Sequence, residues 1–175
     1  MANSYWNNIF EKNGKHQLSL DNILRKVPIF SELKKGELRE FRRLVHNRYF
    51  KKNEVVFYEG EPGVGMYIIE TGMVGIYKEV NNQIKEELAI LRPGEFFGEM
   101  ALLDESPRSA TAIALENSQI LGLFRPDLFD LIYRKPRLGN KILLKLAQMI
   151  AERLRLSNAE LYELKQQLEN SVIIR

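Results

Sequence analysis

The most informative interval of this chain lies between residues 97 and 111 and reads Phe97-Gly98-Glu99-Met100-Ala101-Leu102-Leu103-Asp104-Glu105-Ser106-Pro107-Arg108-Ser109-Ala110-Thr111. It has the pattern of neither a strand nor a simple turn. Gly98 allows the backbone to turn and to approach a ligand closely, because it carries no side chain. The Glu99–Leu102 stretch consists of good helix formers, enough for one short turn. The unpaired N–H groups at the start of such a turn suit a phosphate.

Two charged residues of this interval add the features of a nucleotide site. The guanidinium of Arg108, which follows once Pro107 has turned the chain back, can bind a phosphate through two hydrogen bonds. The carboxylate of Glu99 can accept hydrogen bonds from ligand hydroxyls, and an anion beside a hydroxyl describes a nucleotide. A structural salt bridge across a β-hairpin is the alternative interpretation of Glu99 and Arg108. The complete set, with Gly98, Pro107 and Ser109 in register, favours ligand binding.

Short β-rich runs separated by turn residues surround this interval, from about Tyr49 to Phe124. Short strands at regular spacing predict an antiparallel sandwich or roll. The predicted strands cover residues 54–58, 66–69, 74–77, 87–91, 110–115 and 120–124.

Helical periodicity flanks the β-rich part on both sides. Before it, Ser19 is the predicted N-cap of a short helix that ends at Pro28, and a second helical pattern extends as far as Val45. After it, a short helix is predicted over residues 126–134, and Pro136 ends it.

The residues from about Leu138 to Gln167 have the pattern of one long helix of about eight turns. For its first half, packing on its own domain and pairing with a second helix are equally good interpretations. Beyond Ser157 the β-rich part is too small to cover the helix, so we expect a homodimer through it. The apolar positions follow the steps of four and three residues typical of a two-stranded coiled coil, one set being Leu143, Ile150, Ser157 and Leu164 and the other Ala147, Leu154, Leu161 and Leu168.

The 97–111 interval resembles the phosphate-binding cassette of the cyclic nucleotide-binding domain family. This family includes catabolite activator proteins, protein kinase A regulatory subunits and cyclic-nucleotide-gated channels. The resemblance extends over about Leu20 to Ser157 and includes the segment Val27-Pro28-Ile29-Phe30 ahead of the β-rich part. It implies an α+β fold, in which N-terminal helices and two C-terminal helices flank an antiparallel β-roll of the double-stranded β-helix or jelly-roll type.

The resemblance also implies roles for individual residues. Glu99 would bind the ribose 2′-OH and Arg108 the cyclic phosphate, while Ser109 would offer a hydroxyl and Ala110 a backbone N–H to the phosphate oxygens. Some members of the family keep the fold without the ligand, and they lack the acidic residue or the arginine; this chain has both. The implied binding positions in the cassette are Gly98, Glu99, Met100, Ala101, Arg108, Ser109 and Ala110.

The same resemblance assigns base recognition to Ser157 and Asn158 of the long helix. The catabolite activator branch places small polar residues there, one of them supplied by the other subunit. Because a polar residue in a helical seam costs stability unless it is satisfied, contact with an adenine amino group would explain Ser157. A buried, water-bridged serine explains it equally well. Ser109 replaces the threonine associated with cGMP preference in kinase-type domains, which favours cAMP as the ligand, with cGMP as the second candidate.

Composition argues against several other functions. The chain has 175 residues, a net charge of +3 and no cysteine. This charge is too small to indicate non-specific binding to nucleic acid or membranes, and disulfides or thiolate metal sites are excluded. No signal-type stretch and no run of about 20 apolar residues is present, so we expect a cytoplasmic protein. His16 and His46 lie outside the predicted barrel strands, so we expect neither a metal-dependent enzyme nor a cofactor, and no residue is assigned a catalytic role.

These observations predict an N-terminal extension over residues 1–18, a cyclic nucleotide-binding domain over 19–136 and a long C-terminal helix over 137–175. The β-roll is placed at about 48–124. The predicted function is a cyclic nucleotide sensor that couples binding to rearrangement of the C-terminal helices, with Leu103 and Phe129 packing the cassette against the short helix. The alternative is the sensory half of a transcription regulator of the catabolite activator type. Because no recognition-helix pattern is present, we expect no DNA binding; the downstream effector is not identified.

Overall fold

A computed structural model describes residues 20–80 and 83–173. The helices in this part are α1 (20–26), α2 (Lys35–Arg42), α3 (Arg125–Arg134) and α4 (Pro136–Ile173). Short 3₁₀ turns occupy Pro28–Phe30 and Glu99–Leu102. The strands are β1 (Val45–Phe50), β2 (Val55–Phe57), β3 (Gly65–Thr71), β4 (Val74–Val80), β5 (Gln83–Leu91), β6 (Phe96–Phe97), β7 (Thr111–Ala114) and β8 (Ser118–Phe124).

The strands form two four-stranded sheets in which neighbouring strands are antiparallel. The strand orders are β1-β8-β3-β6 and β2-β7-β4-β5. One apolar cluster joins the inner faces of the sheets and includes Ile69, Val74 and Ile120. A second cluster packs the helices against the first sheet and includes Phe41, Leu123 and residues of all four helices. This arrangement confirms the predicted α+β fold with a β-roll flanked by helices.

Strand β1 corrects the prediction that the second helical pattern extends to Val45. Helix α2 ends at Arg42, and Val45 begins a strand that pairs with β8 opposite Leu123. The four central residues of β1 are polar or aromatic and exposed, so the strand has no apolar alternation. Pairing with β8, rather than local propensity, therefore determines its conformation. The predicted N-cap, Ser19, lies outside the described residues.

Helix α4 has two parts with different surroundings. Leu138, Ile142 and Leu146 are buried in the helical core cluster, and partial burial continues to Ile150. Residues 151–170 are exposed. The first half of the long helix thus packs on its own chain, and the second half is not covered by another element of the described residues.

Three ion pairs connect α2 and the turn before it to α4 and to the residue between α3 and α4. Glu32 pairs with Lys145 at 2.7 Å, Glu37 with Lys141 at 2.8 Å and Glu40 with Lys135 at 2.8 Å. In each pair the hydrogen bond from the lysine lowers the pKa of the glutamate. Because such pairs are near the surface, burial of the apolar face of α4 stabilises its position more than they do.

Candidate functional site

The backbone of the cassette is fixed by pairing on both sides. Before it, β6 pairs with β3, with Phe97 opposite Tyr67. After it, the Arg108 N–H donates to the Glu61 carbonyl at 2.8 Å, and the Gly60 N–H donates to the Arg108 carbonyl at 2.9 Å. The cassette therefore lies between the edge of one sheet and the loop that connects β2 to β3.

Gly98 is required where β6 gives way to the 3₁₀ turn. Its φ is 71°, in the left-handed region that favours glycine. A Cβ at this position would lie 2.5 Å from Nη1 of Arg108. The close approach that Gly98 was predicted to permit is therefore an approach to Arg108, which is itself part of the site.

Arg108 is a buried cation with unused hydrogen-bonding capacity. It is 6% exposed, and its Nη1 donates to the Gly98 carbonyl at 3.1 Å. Its guanidinium lies 4.1 Å from the ring centroid of Phe57 and 5.7 Å from that of Tyr67. Burial lowers the pKa of this guanidinium, and no described residue accepts a hydrogen bond from its buried Nε. A buried charge with a free donor suits an anionic ligand.

Glu99 lies beside this cation but forms its ion pair with a residue of α4. Glu99 is 7% exposed, and its carboxylate accepts a hydrogen bond from Nη1 of Arg153. The Arg153 guanidinium also lies 4.8 Å from the ring centroid of Phe96. In the described chain Glu99 therefore pairs with Arg153 rather than with Arg108. Sequence reasoning missed Arg153, although it precedes Ser157 by four residues and hence shares its helix face.

A cavity of about 510 Å³ opens between the cassette, the second sheet and α4, within the usual size range of small-molecule sites. Its apolar wall includes Phe57, Ile76 and Leu91. Eight of the nine predicted binding residues line it: Gly98, Glu99, Met100, Ala101, Arg108, Ser109, Ala110 and Ser157.

The ninth predicted residue, Asn158, is not among the residues that line the cavity. Successive helical residues point about 100° apart, so Asn158 faces away when Ser157 faces the cavity. Ser157 is exposed in the single chain. Its burial as a water-bridged serine in the seam of a paired helix stays a prediction.

The contact predicted between Leu103 and Phe129 is not the connection between cassette and α3. Leu103 is 45% exposed and Phe129 is 55% exposed. Leu128 and Leu131 are the buried residues of this helix, because its core face is turned toward the first sheet. The cassette contacts α3 through Arg125, whose side chain donates to the Ala101 carbonyl.

The family model for the cyclic nucleotide-binding domain matches residues 47–135 of this chain, which include the roll from the third residue of β1 onward, the cassette and α3. The chain belongs to the cyclic nucleotide-binding domain family. Domains of this family occur in catabolite activator-type regulators and in protein kinase A regulatory subunits.

Named relatives agree with this assignment. The cyclic AMP receptor protein of Thermus thermophilus is 37% identical over 134 residues, which are 77% of this chain and 60% of that protein. A cAMP-dependent protein kinase regulatory subunit of Hypocrea atroviridis is 32% identical over 59% of this chain and 21% of its own length. The solved structure of the T. thermophilus catabolite activator protein has a TM-score of 0.72 and 36% identity, covering 79% of this chain and 63% of that one. This chain thus spans less than two thirds of each of these relatives.

None of the helices in residues 20–80 and 83–173 combines the length and apolarity of a membrane span. In the same ranges, no group of three or more His, Cys, Asp and Glu residues is placed to hold a metal ion.

Proposed function

We propose that this protein binds a 3′,5′-cyclic nucleotide in the cavity, with cAMP preferred over cGMP. The observation that carries this proposal is Arg108, a buried cation that lines the cavity and whose Nε has no acceptor in the described chain. A cyclic phosphate supplies a negative charge and two free oxygens. Binding would thus give the buried guanidinium the anionic partner that it lacks.

The rest of the cavity suits the other parts of the same ligand. The Glu99 carboxylate can accept a hydrogen bond from the ribose 2′-OH. The apolar wall can cover one face of the base, and the Ser157 hydroxyl, on α4, can accept a hydrogen bond from the adenine amino group. Preference for cAMP rests on this hydroxyl and on Ser109, and no metal or cofactor is needed for binding.

Through Arg153, ligand binding at Glu99 can affect the position of α4. In the arrangement described here, the same Glu99 carboxylate that would bind the ribose is hydrogen-bonded to Arg153. A ligand that occupies or reorients this carboxylate changes the contact between cassette and helix. Differential affinity of the ligand for the two arrangements would then shift α4.

The proposed biological role is that of a non-enzymatic cytoplasmic sensor, dimeric through α4, whose effector is not identified. A second candidate is the sensory part of a transcription regulator. Its support is a relative in Mycobacterium tuberculosis named as a CRP-like cAMP-activated global transcriptional regulator, 28% identical over 83% of this chain and 63% of that protein.

Calorimetric titration with cAMP, cGMP and linear 5′-AMP tests the proposal. We expect the tightest binding for cAMP and the weakest for 5′-AMP, because the open phosphate no longer holds the ribose and the anion in one fixed geometry. The absence of binding by both cyclic nucleotides at millimolar concentration would overturn the proposal. Tighter binding of cGMP would overturn the assigned preference.

The role of Glu99 is tested by comparing two ligands. Glu99→Gln should weaken the binding of cAMP more than that of 2′-deoxy-cAMP, because 2′-deoxy-cAMP lacks the hydroxyl that the carboxylate accepts from. We expect a loss of about tenfold or more for cAMP, because a hydrogen bond to a charged group contributes about 1.5–3 kcal/mol. The ratio of the two losses is the measure, since the substitution also removes the ion pair with Arg153. The exposed Glu116→Gln is the matched charge control. Equal losses for both ligands would make Glu99 a structural residue.

A further inference from the structure

Arg125, the first residue of α3, directs its side chain into the fold and not into solvent. The side chain is 16% exposed. Its Nε and Nη2 donate to the Ala101 carbonyl at 3.0 and 2.9 Å, and Nη2 also donates to the Gly63 carbonyl at 3.2 Å. Its Nη1 pairs with Glu105 at 3.0 Å. One guanidinium thus joins α3 to the cassette and to the loop between β2 and β3.

The groups that Arg125 joins are themselves in tight contact. A Cβ on Gly63 would lie 2.6 Å from the Ala101 Cβ and 3.2 Å from the Ser106 carbonyl oxygen. Ala101 lies within the 3₁₀ turn, a short element that leaves carbonyl groups without a partner of its own. Arg125 donates twice to one of these carbonyls. The cassette therefore depends on a side chain of the following helix for its position.

Arg125 does not belong to the ligand-binding wall. It is not among the residues that line the cavity, whereas Ala101, its hydrogen-bond acceptor, is. The planar guanidinium holds its acceptors in a fixed geometry, so a displacement of the Ala101 carbonyl has to move the start of α3 or break two hydrogen bonds. Leu128 and Leu131 of α3 share one core cluster with Leu138 and Ile142 of α4. A displacement of α3 therefore changes the packing at the start of α4.

We propose that Arg125 is the positioning residue that holds the cassette on α3 and transmits ligand-driven movement of the cassette to α3 and α4. The transmission rests on the proposed function, whereas the positioning of the cassette does not. This assignment replaces the contact expected between Leu103 and Phe129.

Amide hydrogen exchange tests the positioning of the cassette separately from the transmission of its movement. In ligand-free protein, Arg125→Gln should speed exchange of the Leu103 and Asp104 amides, both of which donate to the Met100 carbonyl. Unchanged exchange at these amides would overturn the positioning role, whatever the protein binds. Arg125→Lys keeps the charge but loses the planar set of guanidinium donors. It should give an amide exchange rate between those of wild type and Arg125→Gln. The control is Arg134→Ala at the exposed far end of α3, where the arginine pairs with Asp130.

The same variants then test transmission with cAMP as the probe. Wild type should bind cAMP and change its exchange over residues 128–150. Arg125→Gln should still bind, with affinity reduced no more than about tenfold, and should lose most of that change. A wild-type response in Arg125→Gln would overturn transmission. Failure of wild type to bind any cyclic nucleotide would overturn the proposed function, and transmission with it, while the ligand-free rates still decide the positioning role.

Discussion

Arg108→Ala is expected to lower the affinity for cAMP by a factor of ten to one hundred or more. Hydrogen bonds to a charged group contribute about 1.5–3 kcal/mol each, and the cyclic phosphate would lose its buried cation altogether. Arg108 is 6% exposed, packs on Phe57 and lines the cavity, so its truncation to alanine removes the buried cation from the cavity wall. Calorimetry on purified protein measures the loss.

The control for Arg108→Ala must also remove an arginine beside an aromatic ring. Arg48→Ala does so on the exposed face of β1, where the guanidinium lies 5.9 Å from the ring centroid of Phe124. This variant should bind cAMP as wild type does. Arg108→Lys should fall between wild type and Arg108→Ala, because an ammonium keeps the charge without the planar fork. Unchanged affinity in Arg108→Ala, with its melting temperature showing a folded protein, would remove Arg108 from the site.

The cassette could be predicted because its requirements are local. The left-handed backbone at Gly98, the short turn after it and the return at Pro107 each follow from residue types within a few positions of each other. The surrounding strands could be predicted for a similar reason, since short apolar runs between turn residues already mark an antiparallel roll. The seven predicted binding residues of the cassette consequently line one cavity, and Ser157 of α4, which only the family resemblance implied, lines it as well.

The features that were missed or wrong depend on contacts between distant parts of the chain. Strand β1 is polar, and only its pairing with β8 makes it a strand. Arg153 reaches Glu99 across 54 positions, and Arg125 reaches Gly63 across 62. Phe129 is apolar and close to the cassette in sequence, but helix α3 is rotated so that Leu128 faces the core instead. Helix rotation and long-range pairing are set by packing, which spacing alone does not determine.

Leu161→Asp is expected to convert a dimer into a monomer, with a dissociation constant raised more than a hundredfold. Four leucines on the second half of α4, at positions 154, 161, 164 and 168, are between 51% and 66% exposed in the single chain. They follow the heptad steps of a two-stranded seam, and burying them against a second copy of α4 would remove their apolar surface from water. A carboxylate at the centre of that seam loses this packing and is itself desolvated without a partner.

Sedimentation at micromolar concentration measures the change, and Leu156→Asp is its matched control. Leu156 is 62% exposed on the same helix, but its position falls outside the heptad seam, so its replacement should leave the dimer intact. In a parallel pair, Glu160 of one helix can approach Lys165 of the other, which favours that orientation. Ser157 occupies a seam position and lines the cavity, so a second copy would also bring Asn158 near the site from the other chain. A wild type that sediments as a monomer at this concentration would contradict the proposed dimer, and equal dissociation by both variants would contradict the seam.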